Sequence, residues 1–221
     1  MKKLKIIYED KELLVINKEP KVLTISTAKE KNRTLYAEAS SYVKKQNPKN
    51  KIFIVHRLDK DTSGIVVFAK NETLKHQLQN NWDRLAKIRE YTAVVEGRLT
   101  GSGEIKNYLY ETKTLEVFST DDPKKGKLAI TKYKSISDTR AYSLININIL
   151  TGRKNQIRVH LKDINHPIIG DKKYKSKSNP LGRLGLHASR LVLIHPKTKK
   201  EMVFISEAPK NFYEITKAKS Q

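Results

Sequence analysis

The chain has 221 residues, long enough to bury a substantial core and to form one large domain or two small ones. It contains no cysteine, which excludes disulfides and thiolate metal sites, and no apolar run reaches the roughly 18 residues of a membrane span. Lys and Arg number 45 against 23 Asp and Glu, a formal net charge of +22, so the expected partner is a polyanion, above all nucleic acid.

The N-terminus MKKLKIIYEDKELL carries no signal-peptide hydrophobic stretch, and a cytoplasmic protein without membrane contact is the expectation. LLVIN (13–17) reads as a buried strand. Thr34 is placed to cap a helix in LYAEASSYVKK, where Leu35, Ala39, Tyr42 and Val43 share one face. IFIV (52–55) and IVVFA (65–69) read as strands that flank HRLDKDTSG (56–64). Asn71 caps a helix whose Leu74, Leu78, Trp82 and Leu85 form one stripe, a packing surface that leaves Trp82 without a functional role.

YTAVVEG (91–97) is strand-like, and AYSLININIL (141–150) alternates, with Ala141, Ser143, Ile145, Ile147 and Ile149 on one face and Asn146 and Asn148 on the other. GRKNQIRVHLKDI (152–164) places Ile157, Leu161 and Ile164 at helical spacing, and His166–Pro167 ends that helix. RLVLIH (190–195) and EMVFIS (201–206), joined by PKTKK, read as a hairpin. The Lys-rich stretches 44–51 and 121–127 read as solvated loops, and the closing KAKSQ as frayed. Strands with interspersed helices and no regular βα alternation predict an α+β fold. Its mixed, largely antiparallel central sheet is flanked by helices, in a single domain spanning 1–221 without internal repeats.

Two polar clusters are dense enough to carry chemistry. In HRLDKDTSG, Thr62, Ser63 and Gly64 suit a turn that re-enters a strand, while Asp59 or Asp61 serves either to satisfy loose backbone N–H groups or as a reactive group. A carboxylate beside Arg57 stays ionised, suited to nucleophilic attack or charge stabilisation rather than to donating a proton. In TGRKNQIRVH (151–160), Arg153, Gln156 and Arg158 form either a basic helix face in solvent or a first turn offering N–H groups and Arg forks to phosphate or carboxylate. The six histidines show no metal-ligand spacing, and no Walker, GxGxxG or GxSxG motif occurs, so neither a metal nor a cofactor is expected.

In order along the chain, IIYEDKELLVINKEP, HRLDKDTSG, REYTAVVEG, LTGRKNQIRVHL…HPIIGDKKY and LGLHASRLVLIHP resemble the motifs of the RluA-type family of RNA pseudouridine synthases over nearly the whole chain. The resemblance implies the pseudouridine synthase fold and the isomerisation of uridine to pseudouridine in ribosomal or transfer RNA. It implies Asp59, not Asp61, as the essential catalytic carboxylate. Tyr91 matches the tyrosine that packs on the target uracil, and Arg158 the basic residue that ion-pairs with the catalytic Asp. Arg57 matches the arginine that occupies the space left by the extruded nucleotide, and His56, Arg153 and Gln156 are expected at the RNA with it.

The first strand starts within ten residues of Met1, so the expectation is a stand-alone catalytic domain, acting as a monomer, without the small RNA-binding domain that often precedes it in the family. Target choice is expected in loops 44–51 and 113–127. Two positions depart from the family pattern: Asn155 stands where His is frequent, and Glu19 is inserted in the Asn-Lys-Pro element.

Overall fold

The computed structural model describes residues 4–26, 30 and 33–217, so of the end expected to fray, residues 218–221 lie outside the described residues. The chain falls into two compact units. The first comprises residues 1–87 and 188–206, and the second residues 88–187 and 207–221. In chain order the elements are strand β1 (Ile6–Glu9), β2 (Leu13–Lys18), helix α1 (Leu35–Gln46), β3 (Phe53–Ile54), β4 (Ser63–Ala69), α2 (Glu72–Asn80), α3 (Trp82–Leu85) and β5 (Ala86–Glu96). They continue with β6 (Ser102–Glu111), β7 (Val117–Thr120), β8 (Lys127–Asp138), β9 (Tyr142–Ile149), α4 (Gln156–Asp163), a 3-10 turn (Lys172–Tyr174), β10 (Leu186–Ile194), β11 (Glu201–Ile205) and α5 (Lys210–Ile215).

In the first unit β2 lies between β1 and β4, antiparallel to both, and β11 folds back antiparallel on β10 as the hairpin predicted. All seven residues of β4 are buried, which is why SGIVVFA reads as a continuous apolar run rather than an alternating one. Gly64 enters this strand at φ +113°, and a Cβ there would stand 2.2 Å from the Ala188 carbonyl oxygen, so no side chain fits. Both predicted caps form: Thr34 Oγ1 accepts from the Ala37 N–H at 3.1 Å, and Asn71 Oδ1 from the Leu74 N–H at 2.7 Å.

The single stripe predicted from Leu74 to Leu85 is broken at Asn81 into α2 and α3. Leu74, Leu78 and Leu85 nevertheless bury together with Leu13, Val15, Ile65 and Val67, and Trp82 packs against that cluster as expected.

In the second unit the strand order is β5-β9-β8-β6-β7, and each neighbouring pair is antiparallel. Ser143, Ile145, Ile147 and Ile149 of β9 are buried, as its alternation predicts, whereas Ala141 precedes the strand and is exposed; Leu144 on the opposite face is buried as well, under α5 residue Phe212. Three departures from the sequence expectations matter. β5 begins at Ala86 rather than near Tyr91, β7 lies inside the 113–127 segment expected to be loop, and α4 begins at Gln156 rather than after Gly152. The helix starts late because Asn155 takes the left-handed conformation, φ 54° and ψ 17°, which a helix cannot contain.

Candidate active site

The HRLDKDTSG segment belongs to the first unit and is fixed at every second residue. The His56 imidazole accepts the Val67 N–H on Nε2 at 3.1 Å and stacks on Trp82, with ring centroids 4.5 Å apart and planes 21° from parallel. Leu58 is held by Thr24, whose Oγ1 donates to the Leu58 carbonyl at 2.8 Å and accepts its N–H at 3.2 Å. The Lys60 carbonyl accepts from Lys18 Nζ at 3.0 Å. Lys18 is 1% exposed, and its ammonium also donates to the carbonyls of Glu19 and Val22 at 3.0 and 2.8 Å.

Leu58 and Lys60 are fastened through main-chain groups; along the segment Arg57 and Lys60 are exposed, Leu58 is buried, and Asp59 and Asp61 are half-buried. Thr62 and Ser63 are buried at the entry to β4, the scaffold role assigned to them from sequence.

Tyr91 and Arg158 belong to the second unit. Tyr91 lies on the face of β5 that carries Ala93 and Val95, and it packs half-buried against the cluster containing Ile147, Ile157 and Leu161. Arg158, on the first turns of α4, is gripped from the side by Asp171: Nε donates to Oδ2 at 2.7 Å and Nη2 to Oδ1 at 2.8 Å. Its Nη1 donates to Asn155 Oδ1 at 3.2 Å, and its guanidinium carbon lies 5.0 Å from the centre of the Tyr174 ring. Asn155 Nδ2 donates in turn to the Tyr174 hydroxyl at 2.9 Å. Asn155 thus serves twice: it tolerates the left-handed backbone, and its amide joins Arg158 to Tyr174.

Gln156 is 3% exposed and internally satisfied. Its Nε2 donates to the Ile130 carbonyl and to Thr131 Oγ1, both at 3.0 Å, while its Oε1 accepts from Thr151 Oγ1 at 2.8 Å and from the Arg153 N–H at 3.0 Å. It is the hub of the bend before α4 rather than a surface contact. Thr131 Oγ1 also meets Nδ1 of the fully buried His160 at 2.8 Å, whose Nε2 meets Asn107 Oδ1 at 2.9 Å. Burial lowers the His160 pKa from 6.5 to about 4, outweighing the charge of Asp163, so the ring is neutral. Arg153 donates through Nε to the Leu128 carbonyl at 2.9 Å and lines a cleft of about 400 Å³ together with Lys125, Lys127 and Lys154.

The structure therefore brings His56, Arg57 and Asp59 together on one fixed segment, and Arg153, Gln156 and Arg158 around the start of α4. Sequence reasoning missed Lys18, Thr24, Asp171 and Tyr174; of these, Lys18, Asp171 and Tyr174 lie in the motif stretches NKEP and GDKKY, which were the available signal. Among the described residues no group of three or more His, Cys, Asp or Glu side chains is placed to hold a metal ion, and no helix is long and apolar enough to cross a membrane.

Comparison with known proteins bears on the family and the fold. A family model described as RNA pseudouridylate synthase matches residues 12–163. An uncharacterised RNA pseudouridine synthase of Mycoplasma genitalium is 40% identical over 224 residues, covering 99% of this chain and 70% of that protein. The ribosomal large subunit pseudouridine synthase D of an Escherichia coli strain is 31% identical over 226 residues, covering 96% of this chain and 69% of that protein. Among solved structures, human RNA pseudouridylate synthase domain containing 4 superposes with a TM-score of 0.76 at 23% identity, over 94% of this chain and 90% of that one. At that identity the likeness speaks for the fold.

Proposed function

Because the chain belongs to the RNA pseudouridylate synthase family, we propose that it isomerises uridine to pseudouridine in ribosomal RNA with Asp59 as the reactive carboxylate. The reaction detaches the base from the anomeric carbon, turns it while it is held, and rejoins it through carbon 5. It involves no net redox change and no hydrolysis, so the work falls on positioned side chains and on exclusion of water. Asp59 promotes cleavage. Arg158 holds the carboxylate ionised and aimed through a charge-assisted bond. Tyr91 packs on the uracil and takes part in removing the proton from carbon 5.

The uridine must leave its stack, at a cost of a few kcal/mol. Arg57, exposed beside Asp59, fills the space it vacates, and phosphate contacts from the basic surface, Arg153 among them, offset the cost. Ribosomal rather than transfer RNA is favoured because the Escherichia coli relative carries that substrate in its name.

The observation that supports this reading is the HRLDKDTSG segment, fastened at His56, Leu58 and Lys60 so that Asp59 sits half-buried on a fixed stretch of main chain. The test is release of tritium from uridine labelled at carbon 5, in ribosomal RNA from cells lacking the gene. The wild-type protein releases label with no change in RNA mass, and Asp59→Asn does not. Free uracil among the products, or full activity in Asp59→Asn, overturns the reading.

A further inference from the structure

We propose that Asp171 is the positioning residue for Arg158, setting the guanidinium in its working orientation before RNA arrives. This rests on the assignment of Arg158 to the reaction above. An arginine side chain has the rotamer freedom to place its charge in many directions, and one hydrogen bond does not fix its plane. Here both oxygens of a carboxylate whose side chain is 1% exposed engage the Nε–Nη2 edge, at 2.7 and 2.8 Å. A paired contact of this kind fixes the plane as well as the position.

Two further contacts restrain it. Asn155 Oδ1 takes one Nη1 proton at 3.2 Å, and the Tyr174 ring flanks the guanidinium at 5.0 Å. Asp171 is itself anchored, since its Oδ1 also accepts the Tyr174 N–H at 3.3 Å and its main-chain carbonyl accepts the N–H groups of Tyr174 and Ser176 at 3.1 and 3.0 Å. The restraint therefore runs from a backbone turn, through a buried carboxylate, to the cation.

Asp171 engages the Nε–Nη2 side edge of the fork, and in doing so it fixes the direction in which the terminal Nη1–Nη2 edge points. The buried negative charge of Asp171 also keeps a desolvated arginine stable in the RNA-free protein, where it would otherwise be costly to hold. Asp171 touches neither substrate nor reacting atoms in this scheme; it acts through Arg158.

Single-turnover rates and RNA affinities of wild type, Asp171→Asn, Arg158→Lys and the double variant provide the test. Asp171→Asn is expected to slow the chemical step by about tenfold to a hundredfold, the scale of a misplacement near 1 Å, with RNA affinity within about twofold of wild type. It is expected to cost nothing further once Arg158 is Lys. A wild-type rate in Asp171→Asn, a loss confined to RNA affinity, or an equal loss in both backgrounds overturns the inference. A wild-type rate in Arg158→Lys overturns the assignment of Arg158 itself, a different result from a slow Arg158→Lys beside an unimpaired Asp171→Asn. Should Asp171→Asn fail to fold, the Arg158 Nε–H of the wild-type protein is read by NMR without RNA: slow solvent exchange supports the inference, and fast exchange overturns it.

Discussion

The ammonium of Lys18, at the end of β2, donates to the main-chain carbonyl of Lys60, 42 residues on, and so ties the Asp59 segment to a strand paired on both sides. A charge buried this deeply is tolerated because three carbonyls surround it. Lys18→Met keeps the length of the side chain and strands those carbonyls, so it is expected to destabilise the fold by on the order of 3 kcal/mol. Urea denaturation measures the loss.

Asp59 and Asp61 are both half-buried, two residues apart on one segment. If Asp59 is the reactive group, Asp59→Asn abolishes tritium release with RNA binding retained, whereas Asp61→Asn keeps activity within about tenfold of wild type, the loss left by a group outside the chemistry. Equal loss in both variants would show that the two carboxylates act as a pair.

His160 gives the protein a defined response to acid. Its folded pKa of about 4 lies below the ordinary value of 6.5, so between those limits the unfolded chain binds a proton that the folded one does not. Its contribution is complete above pH 6.5 and is lost as the pH falls toward about 4, a change on the order of 3 kcal/mol. His160→Gln flattens the stability profile in that window, as thermal unfolding across the pH range would record.

Asn155 holds a left-handed backbone just before α4. Asn155→Gly keeps that conformation available, while Asn155→Ala retains the Cβ without the polar side chain that lets Asn tolerate it, at a cost of up to about 1–2 kcal/mol. Melting temperatures should therefore rank wild type and Gly above Ala, although both variants lose the amide that joins Arg158 to Tyr174.

Arg153, Lys125 and Lys127 share the wall of a basic cleft. Arg153→Glu is expected to weaken RNA binding and to reduce the salt dependence of that binding by about one phosphate contact, leaving the rate of the bound complex unchanged. Titrations at several salt concentrations provide the slope.

Local rules carried the sequence reading where local physics decides. The caps at Thr34 and Asn71, the fully buried β4 and the alternating β9 each follow from neighbours within a few residues. The break at Asn81 was hidden because the apolar stripe continues across it from Leu78 to Leu85. β6 and β8 were hidden because their many exposed lysines and polar residues blur the alternation. Gln156 carried the composition of a surface contact, and only its four partners, from β8 and from the bend that precedes α4, reveal a buried hub. Asp171 was similarly opaque, since its meaning depends on a residue thirteen positions away across a helix and a turn.

The alternate fastening of His56, Leu58 and Lys60 makes this segment intolerant of a change in length in a way that it is not intolerant of a change in composition. Substitutions at 57, 59 or 61 change side chains and leave the main-chain anchors at Leu58 and Lys60 untouched. Deleting or inserting one residue would carry those main-chain groups away from Thr24 Oγ1 and Lys18 Nζ. Which side chains stand at 57 and 59 is set by the chemistry they perform, whereas the number of residues between His56 and Gly64 is set by the main-chain anchors.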